Sequence, residues 1–405
     1  MIKKVKVDDL KPGVFIADFN TTWMKHPFMT NQILIKNQKM IQRIREYGID
    51  EVFIDTRRGK DIVQHLTLDD WNKAFGDETH NVTVLEPIET RKETLAKELP
   101  KARKIKSEVR SLIEKVYYNI EEGKAVDIHE ADHVVEEMTH SLTRNKDALL
   151  SLIAIKYKDE YTYTHSVNVA VLTTLLGKYN GLSDEEIHNL SVGALLHDIG
   201  KTKISEKIIN KPGPLTQKEW QTMQQHPKLG YDLVKDMEGI NEVILRVILE
   251  HHERYDGMGY PNGTKGKDIS WGGRAASVAD IYDAITSARS YSPATCPSVA
   301  LKKLFEMGKQ NILDQELVQK FINAVGIYPL GSLVKLNSGF LGVVVESPRE
   351  HPVRPVVKLI YDIKKKIIIP PRRLDLSQGI GELHSIVRAE SYAEWNLRPE
   401  DYIPV

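Results

Sequence analysis

From residue 101 to residue 289 the chain is written almost wholly in helical spacing, and that run limits what it can fold into. ARKIKSEVRSLIEKVYYNIEEGK puts Ile105, Val109, Leu112, Ile113 and Val116 on one face. HEADHVVEEMTHSLTRNKDALLSLIAIKY repeats the pattern. THSVNVAVLTTLLGKY, DEEIHNLSVGALLHDIGK, LTQKEWQTMQQHPKLGYDLVKDM, NEVILRVILEHHE and GGRAASVADIYDAITSAR extend it. Ser183 before DEEI and Thr216 before QKEW supply helix caps. Amphipathic helices in this number bury their apolar faces against one another, so the centre of the protein is predicted to be all-helical.

The flanks read differently. KVKV, VFIAD and QILI are short strand-like runs, KMIQRIREYG is helical with a terminal glycine, and EVFID is a strand. Residues 1–70 are therefore expected to form a small α/β module, and the polar stretch 71–104 a linker with some helix. A helical domain over 105–330 follows. Beyond Gly326, GSLVKLNSGFLGVVVES, PVVKLIYD and KKIIIPPRRLDL are β-type runs between turn residues, which predicts a small β appendage over 331–405. The whole is a multidomain, mainly α chain.

Charge and cysteine content narrow the function. Lys+Arg and Asp+Glu both number 56, so no basic field invites a nucleic acid polymer. Cys296 is the single cysteine, which excludes a disulfide framework and any thiolate-rich metal site. No apolar run approaches the roughly 18 residues of a membrane span, and MIKKVKVDDLKPG carries no apolar stretch behind its basic residues. A cytoplasmic location is expected.

Polar residues set among the apolar helices carry the chemistry. His165 opens its helix, His197 and Asp198 follow GALL, and His226 precedes Pro227. His251 and His252 follow VILRVILE, and Asp280 lies within ASVADIYDAI. If buried, each needs a partner, and a shared metal centre supplies partners for all of them. Imidazole and carboxylate suit iron, manganese or zinc, and the set exceeds what one tetrahedral zinc requires. Two ions sharing a bridging carboxylate would use it. Helix neighbours diverge by about 100°, so His197 and Asp198, or His251 and His252, can reach different ions or different sides of one. His129 and His133 are also one turn apart, but nothing converges on them; His26 reads as a surface or structural histidine.

HDIGK at 197–201, HHE at 251–253 with DGMGYP at 256–261, and DIYDAITSAR at 280–289 resemble the HD-GYP branch of the HD superfamily of metal-dependent phosphohydrolases. The resemblance covers roughly residues 105–330. The first seventy residues resemble a small domain of unassigned function that often precedes HD-GYP domains in bacterial proteins, and the C-terminal β stretch resembles a tail many members carry. The resemblance implies an all-helical domain that hydrolyses cyclic di-GMP, a bacterial signalling nucleotide, to pGpG, to GMP or to both, through two divalent ions, iron or manganese, and a bridging hydroxide.

By the same resemblance Asp198 bridges both ions, His165 and Asp280 complete one shell, and His226, His251 and His252 the other. Lys201 serves the phosphate as a catalytic residue; Arg254, Asp283 and Arg289 join it as substrate contacts. Members with three metals carry a glutamate four residues before the first histidine, where this chain has Tyr161, so two ions are expected. In the family the DGMGYP loop is linked to contacts with other signalling proteins, for which Tyr260 and Arg254 are candidates. Hydrolysis of cyclic GMP–AMP, or non-catalytic sensing of cyclic di-GMP, are the competing expectations. The amphipathic helix near 101–120 could pair with a copy of itself into a homodimer.

Overall fold

The structure is a computed structural model. It describes residues 2–21, 28, 32–60, 93–124, 129–154, 161–287, 295–347, 353–398 and 401–403. The chain divides into two compact units, Met1–His65 and Leu66–Val405.

In the first unit β1 (Ile2–Lys6), β2 (Phe15–Asp18), β3 (Ile33–Leu34) and β4 (Glu51–Asp55) form an antiparallel sheet of order β1-β4-β2-β3. Helix α1 (Gln38–Glu46) starts where the Asn37 side chain accepts a hydrogen bond from the Met40 amide. It ends at Gly48, whose φ of 68° lies in the left-handed region. Alternation along β4 turns Val52 and Ile54 inward, onto Ile41 and Ile44 of the helix and Val5, Ile16 and Phe19.

The second unit contains α2 (Leu95–Glu121), α3 (Glu130–Ala154), α4 (Tyr161–Tyr179), α5 (Asp184–Leu196), α6 (Glu206–Ile209) and α7 (Gln217–Met223). It continues with α8 (His226–Val234), α9 (Glu242–Glu250), α10 (Trp271–Thr286), α11 (Pro297–Lys309) and α12 (Gln315–Val325). Ile105, Val109, Leu112, Ile113 and Val116, the face predicted from spacing, are all buried in α2. This helix starts earlier than expected, inside the segment read as a linker; residues 71–92 of that segment lie outside the described residues. The early start has a cause. Buried Glu98 of α2 accepts hydrogen bonds from Ser141 Oγ (2.8 Å) and Arg144 Nε (2.9 Å) of α3, which fastens the first turns to the body. Ser183 and Thr216 both form the expected caps, each closed into a reciprocal box by Glu186 or Glu219.

Strands β5 (Leu333–Leu336), β6 (Phe340–Glu346), β7 (Val356–Asp362), β8 (Ile367–Asp375) and β9 (Ile386–Glu390) make an antiparallel sheet of order β8-β7-β6-β5-β9. Val334, Leu336, Val344 and Val357 belong to the same core as the helices. Leu333, Leu341, Val343 and Ile360 form a separate cluster covered by Trp395 and Tyr402. The β-rich C-terminus is thus welded to the helical core by one set of alternating residues. Among the described residues no helix is long and apolar enough to cross a membrane.

Candidate metal centre

Helix ends build the site. His197 caps the C-terminus of α5, with Asp198 next and a short 3₁₀ turn, Ile199–Lys203, after it. His251 caps α9 in the same way, and His226 opens α8 directly after α7. His165 comes from α4 and Asp280 from α10. Gly200 lets the turn after α5 press on α8: a Cβ there would stand 2.0 Å from the His226 carbonyl oxygen and 2.5 Å from the Gly230 nitrogen. That backbone-to-backbone approach sets Asp198 beside His226.

The side chains gather into two groups with metal-ligand spacing: His165, His197 and Asp280, and Asp198, His226, His251 and His252. Asp198 faces both. Its Oδ2 lies 3.4 Å from His197 Nε2 and 3.8 Å from His165 Nε2; its Oδ1 lies 3.3 Å from His226 Nε2 and 3.9 Å from His251 Nε2. Asp280 Oδ1 is 3.1 Å from His165 Nε2, and its Oδ2 is 3.8 Å from His252 Nδ1. Among the described residues no other cluster has this form; His129 is exposed and pairs with the exposed Asp132 (3.2 Å).

Hydrogen bonding shows whether these residues suit a cation. His197, His226 and His251 each turn Nδ1 onto the carbonyl three residues earlier: Ala194 (2.7 Å), Met223 (2.8 Å) and Ile248 (2.8 Å). A carbonyl only accepts, so Nδ1 carries the proton and Nε2 presents a lone pair. The Nε2 atoms of His226 and His251 then face each other at 3.1 Å with no proton between them, an arrangement that a shared cation relieves. His197 Nε2, Asp198 Oδ1 and His252 Nδ1 are buried without a hydrogen-bond partner. Buried atoms of this kind are rare unless a ligand completes them. The donor set fits a divalent metal.

The electrostatics agree. Burial, then the neighbouring imidazoles, hold His251 and His252 well below the usual histidine range, so both are neutral. Burial alone would raise Asp198, yet the Lys201 ammonium beside it holds its carboxyl well below the ordinary value. Asp280 behaves likewise, with the hydrogen bond from His165 overcoming burial. Burial opposes charge on His165, but hydrogen bonds to Asp280 and Asp283 raise it to about 9. Any metal at its Nε2 displaces that proton.

The other anticipated site residues are distributed unevenly. Lys201 is at the rim, its ammonium partly exposed and donating to Asp198 Oδ2 at 2.5 Å. Arg254 donates from Nη1 to Ser277 Oγ (2.6 Å). Arg289 lies outside the described residues. Asp283 lies against His165. It is fully buried, accepting from His165 Nδ1 (2.7 Å) and Asn168 Nδ2 (2.9 Å), with Ser287 Oγ at 3.2 Å. A carboxylate placed in this way orients the imidazole. Asn168 was not anticipated, although its place three residues after His165 on the same helix face was the available signal.

Sequence comparisons agree with this geometry. Residues 147–317 match a family model described as an HD domain, residues 2–131 one described as a domain of unknown function (DUF3391), and residues 333–394 a KOW domain associated with HD domains. The chain is 34% identical over 402 residues to a cyclic di-GMP phosphodiesterase of Pseudomonas aeruginosa, covering 99% of this chain and 95% of the relative. A cyclic di-GMP phosphodiesterase response regulator of Xanthomonas campestris is 38% identical over 40% of this chain and 43% of its own length. A 3′3′-cGAMP-specific phosphodiesterase of Vibrio cholerae is 35% identical over 42% of this chain and 37% of its own. With full-length similarity added to the paired His/Asp groups, the chain belongs to the HD-GYP family of cyclic-dinucleotide phosphodiesterases, within the HD superfamily of metal-dependent phosphohydrolases.

Proposed function

We propose that the protein hydrolyses cyclic di-GMP to pGpG and onward to GMP with two divalent ions, iron or manganese. The observation that carries the reading is Asp198, which offers one carboxylate oxygen to each of two His/Asp groups. In this reading His165, His197 and Asp280 hold one ion, His226, His251 and His252 hold the other, and Asp198 serves both. Bound there, the ions supply water activation and neutralise charge on the phosphodiester.

The remaining work falls to the chain. Asp283 keeps the His165 proton on Nδ1, so that Nε2 is available to a metal. The carbonyls of Ala194, Met223 and Ile248 do the same for His197, His226 and His251. Lys201 Nζ, at the open rim, turns from Asp198 to a phosphoryl oxygen and offsets its charge in the transition state, with Arg254 and Arg289 as further cationic contacts. The apolar helices around the cluster exclude bulk water, which strengthens each of these interactions.

Similarity to a cGAMP-specific relative favours one second reading, hydrolysis of cyclic GMP–AMP by the same centre. The test is anaerobic turnover of both cyclic dinucleotides, with metal counted on the same samples, for wild type and His197→Ala/Asp198→Ala. Guanosine products, about two metals per chain and loss of both in the variant are expected. Turnover of cyclic GMP–AMP alone would shift the substrate. Full metal with tight nucleotide binding and no product would make the protein a sensor.

A further inference from the structure

An aromatic wall adjoins the His/Asp cluster. Tyr260 stacks on His252 with ring centroids 4.7 Å apart and planes at 33°. Trp220 of α7 meets Tyr260 edge-on at 6.1 Å, yet 47% of Trp220 remains exposed. A single exposed tryptophan would be unremarkable on most surfaces. This one continues an unbroken series of ring contacts that begins at a histidine of the cluster.

Both rings are held in place. The Tyr260 amide donates to the His252 carbonyl at 3.2 Å, and Glu253 accepts from the Asn262 amide at 2.8 Å. A Cβ on Gly259 would stand 2.3 Å from the Arg254 nitrogen, so glycine alone lets the loop lie flat on that backbone. Helix α7 is closed by the Thr216–Glu219 box and by Lys211 Nζ on Glu219 at 2.5 Å. Its last residue supplies the carbonyl that orients His226. One short helix therefore presents Trp220 and aims a cluster imidazole at once.

A nucleotide carries its phosphate and its base on opposite sides of one ribose, and this wall runs outward from where a phosphate would bind. We propose that Trp220, backed by Tyr260, is the stacking platform for one purine base of the substrate; the proposal rests on the phosphodiesterase reading. Stacking uses a π-face that every base possesses. The platform therefore separates nucleotides from base-free phosphates and accepts guanine and adenine alike.

The test measures binding of GMP and of ribose 5-phosphate to the manganese-loaded full chain, as wild type, Trp220→Ala and Trp220→Phe. Wild type is expected to prefer GMP. Trp220→Ala should weaken GMP about 5- to 100-fold and leave ribose 5-phosphate unchanged, while Trp220→Phe keeps most of the GMP affinity. Equal binding of the two ligands by wild type, unchanged GMP binding in Trp220→Ala, or equal loss of both ligands would each overturn the platform. Turnover of cyclic di-GMP by the same samples separates the two claims. Absent turnover with an intact GMP preference sinks the enzymatic reading and leaves the platform. Normal turnover with unchanged KM in Trp220→Ala does the reverse.

Discussion

The N-terminal unit and the helical unit bury similar apolar side chains but treat buried polar groups in opposite ways. Among the described residues of Met1–His65, Asp55 is the one buried polar or charged side chain, and Arg57 satisfies it from both its backbone amide (3.1 Å) and its guanidinium (3.3 Å). In the helical unit, imidazoles and carboxylates from α4, α10 and the ends of α5 and α9 face one another, several with no partner. The first arrangement serves stability alone. The second carries a cost in stability that a bound cation would offset, which is how a functional site differs from a core.

Substitutions should separate the two regions. Gly200→Ala drives a methyl into the His226 carbonyl, and we expect it to cost more than about 4 kcal/mol and to empty the metal site, read by thermal melting and metal content. Ile54→Ala, in the core of the first unit, should cost about 2–5 kcal/mol. Hydrogen exchange in β1, β2 and β4 should accelerate while manganese per chain stays at the wild-type level; a fall in manganese would mean that the two regions are coupled.

Asp283→Asn keeps the shape of the carboxylate and removes its charge. The ion nearest His165 should bind about 10- to 100-fold more weakly, with the second ion and the melting temperature little changed, as followed by manganese titration. Equal weakening of both ions would return Asp283 to a general structural role. The smallest effect belongs to Asp55. Hydrogen bonds from the Arg57 side chain and backbone lower its carboxyl from 3.8 to about 2. Its contribution is therefore complete above about pH 4 and is lost as pH falls through about 2. Asp55→Asn should lower the denaturation midpoint of the first unit slightly at neutral pH and leave it unchanged well below pH 2.

The cluster was legible because each member lies at the end of, or within, a strongly apolar helix, where an unpaired imidazole is conspicuous. His197–Asp198 and His251–His252 also announce themselves as adjacent pairs. What could not be read was who meets whom across long separations. Asp283 lies 118 residues from His165, so nothing local shows that the two are paired. Trp220 sits on a helix with no buried residues, and its value depends on a loop forty positions away in sequence. The start of α2 was missed for the same reason, since Glu98 is explained only by Ser141 and Arg144.

His197 and His251 each terminate a helix and also use up a backbone carbonyl, three residues back, that the helix end would leave unpaired. The stop signal of the helix and the candidate metal ligand are one residue. Helix length is thereby part of the chemistry: one residue added to α5 or α9 swings its histidine by about 100° and strands a carbonyl as well. Sequence drift along the exposed faces is tolerated, but an insertion within these helices is not. Related chains should therefore differ in the loops between the ligand helices and keep the count of residues inside them.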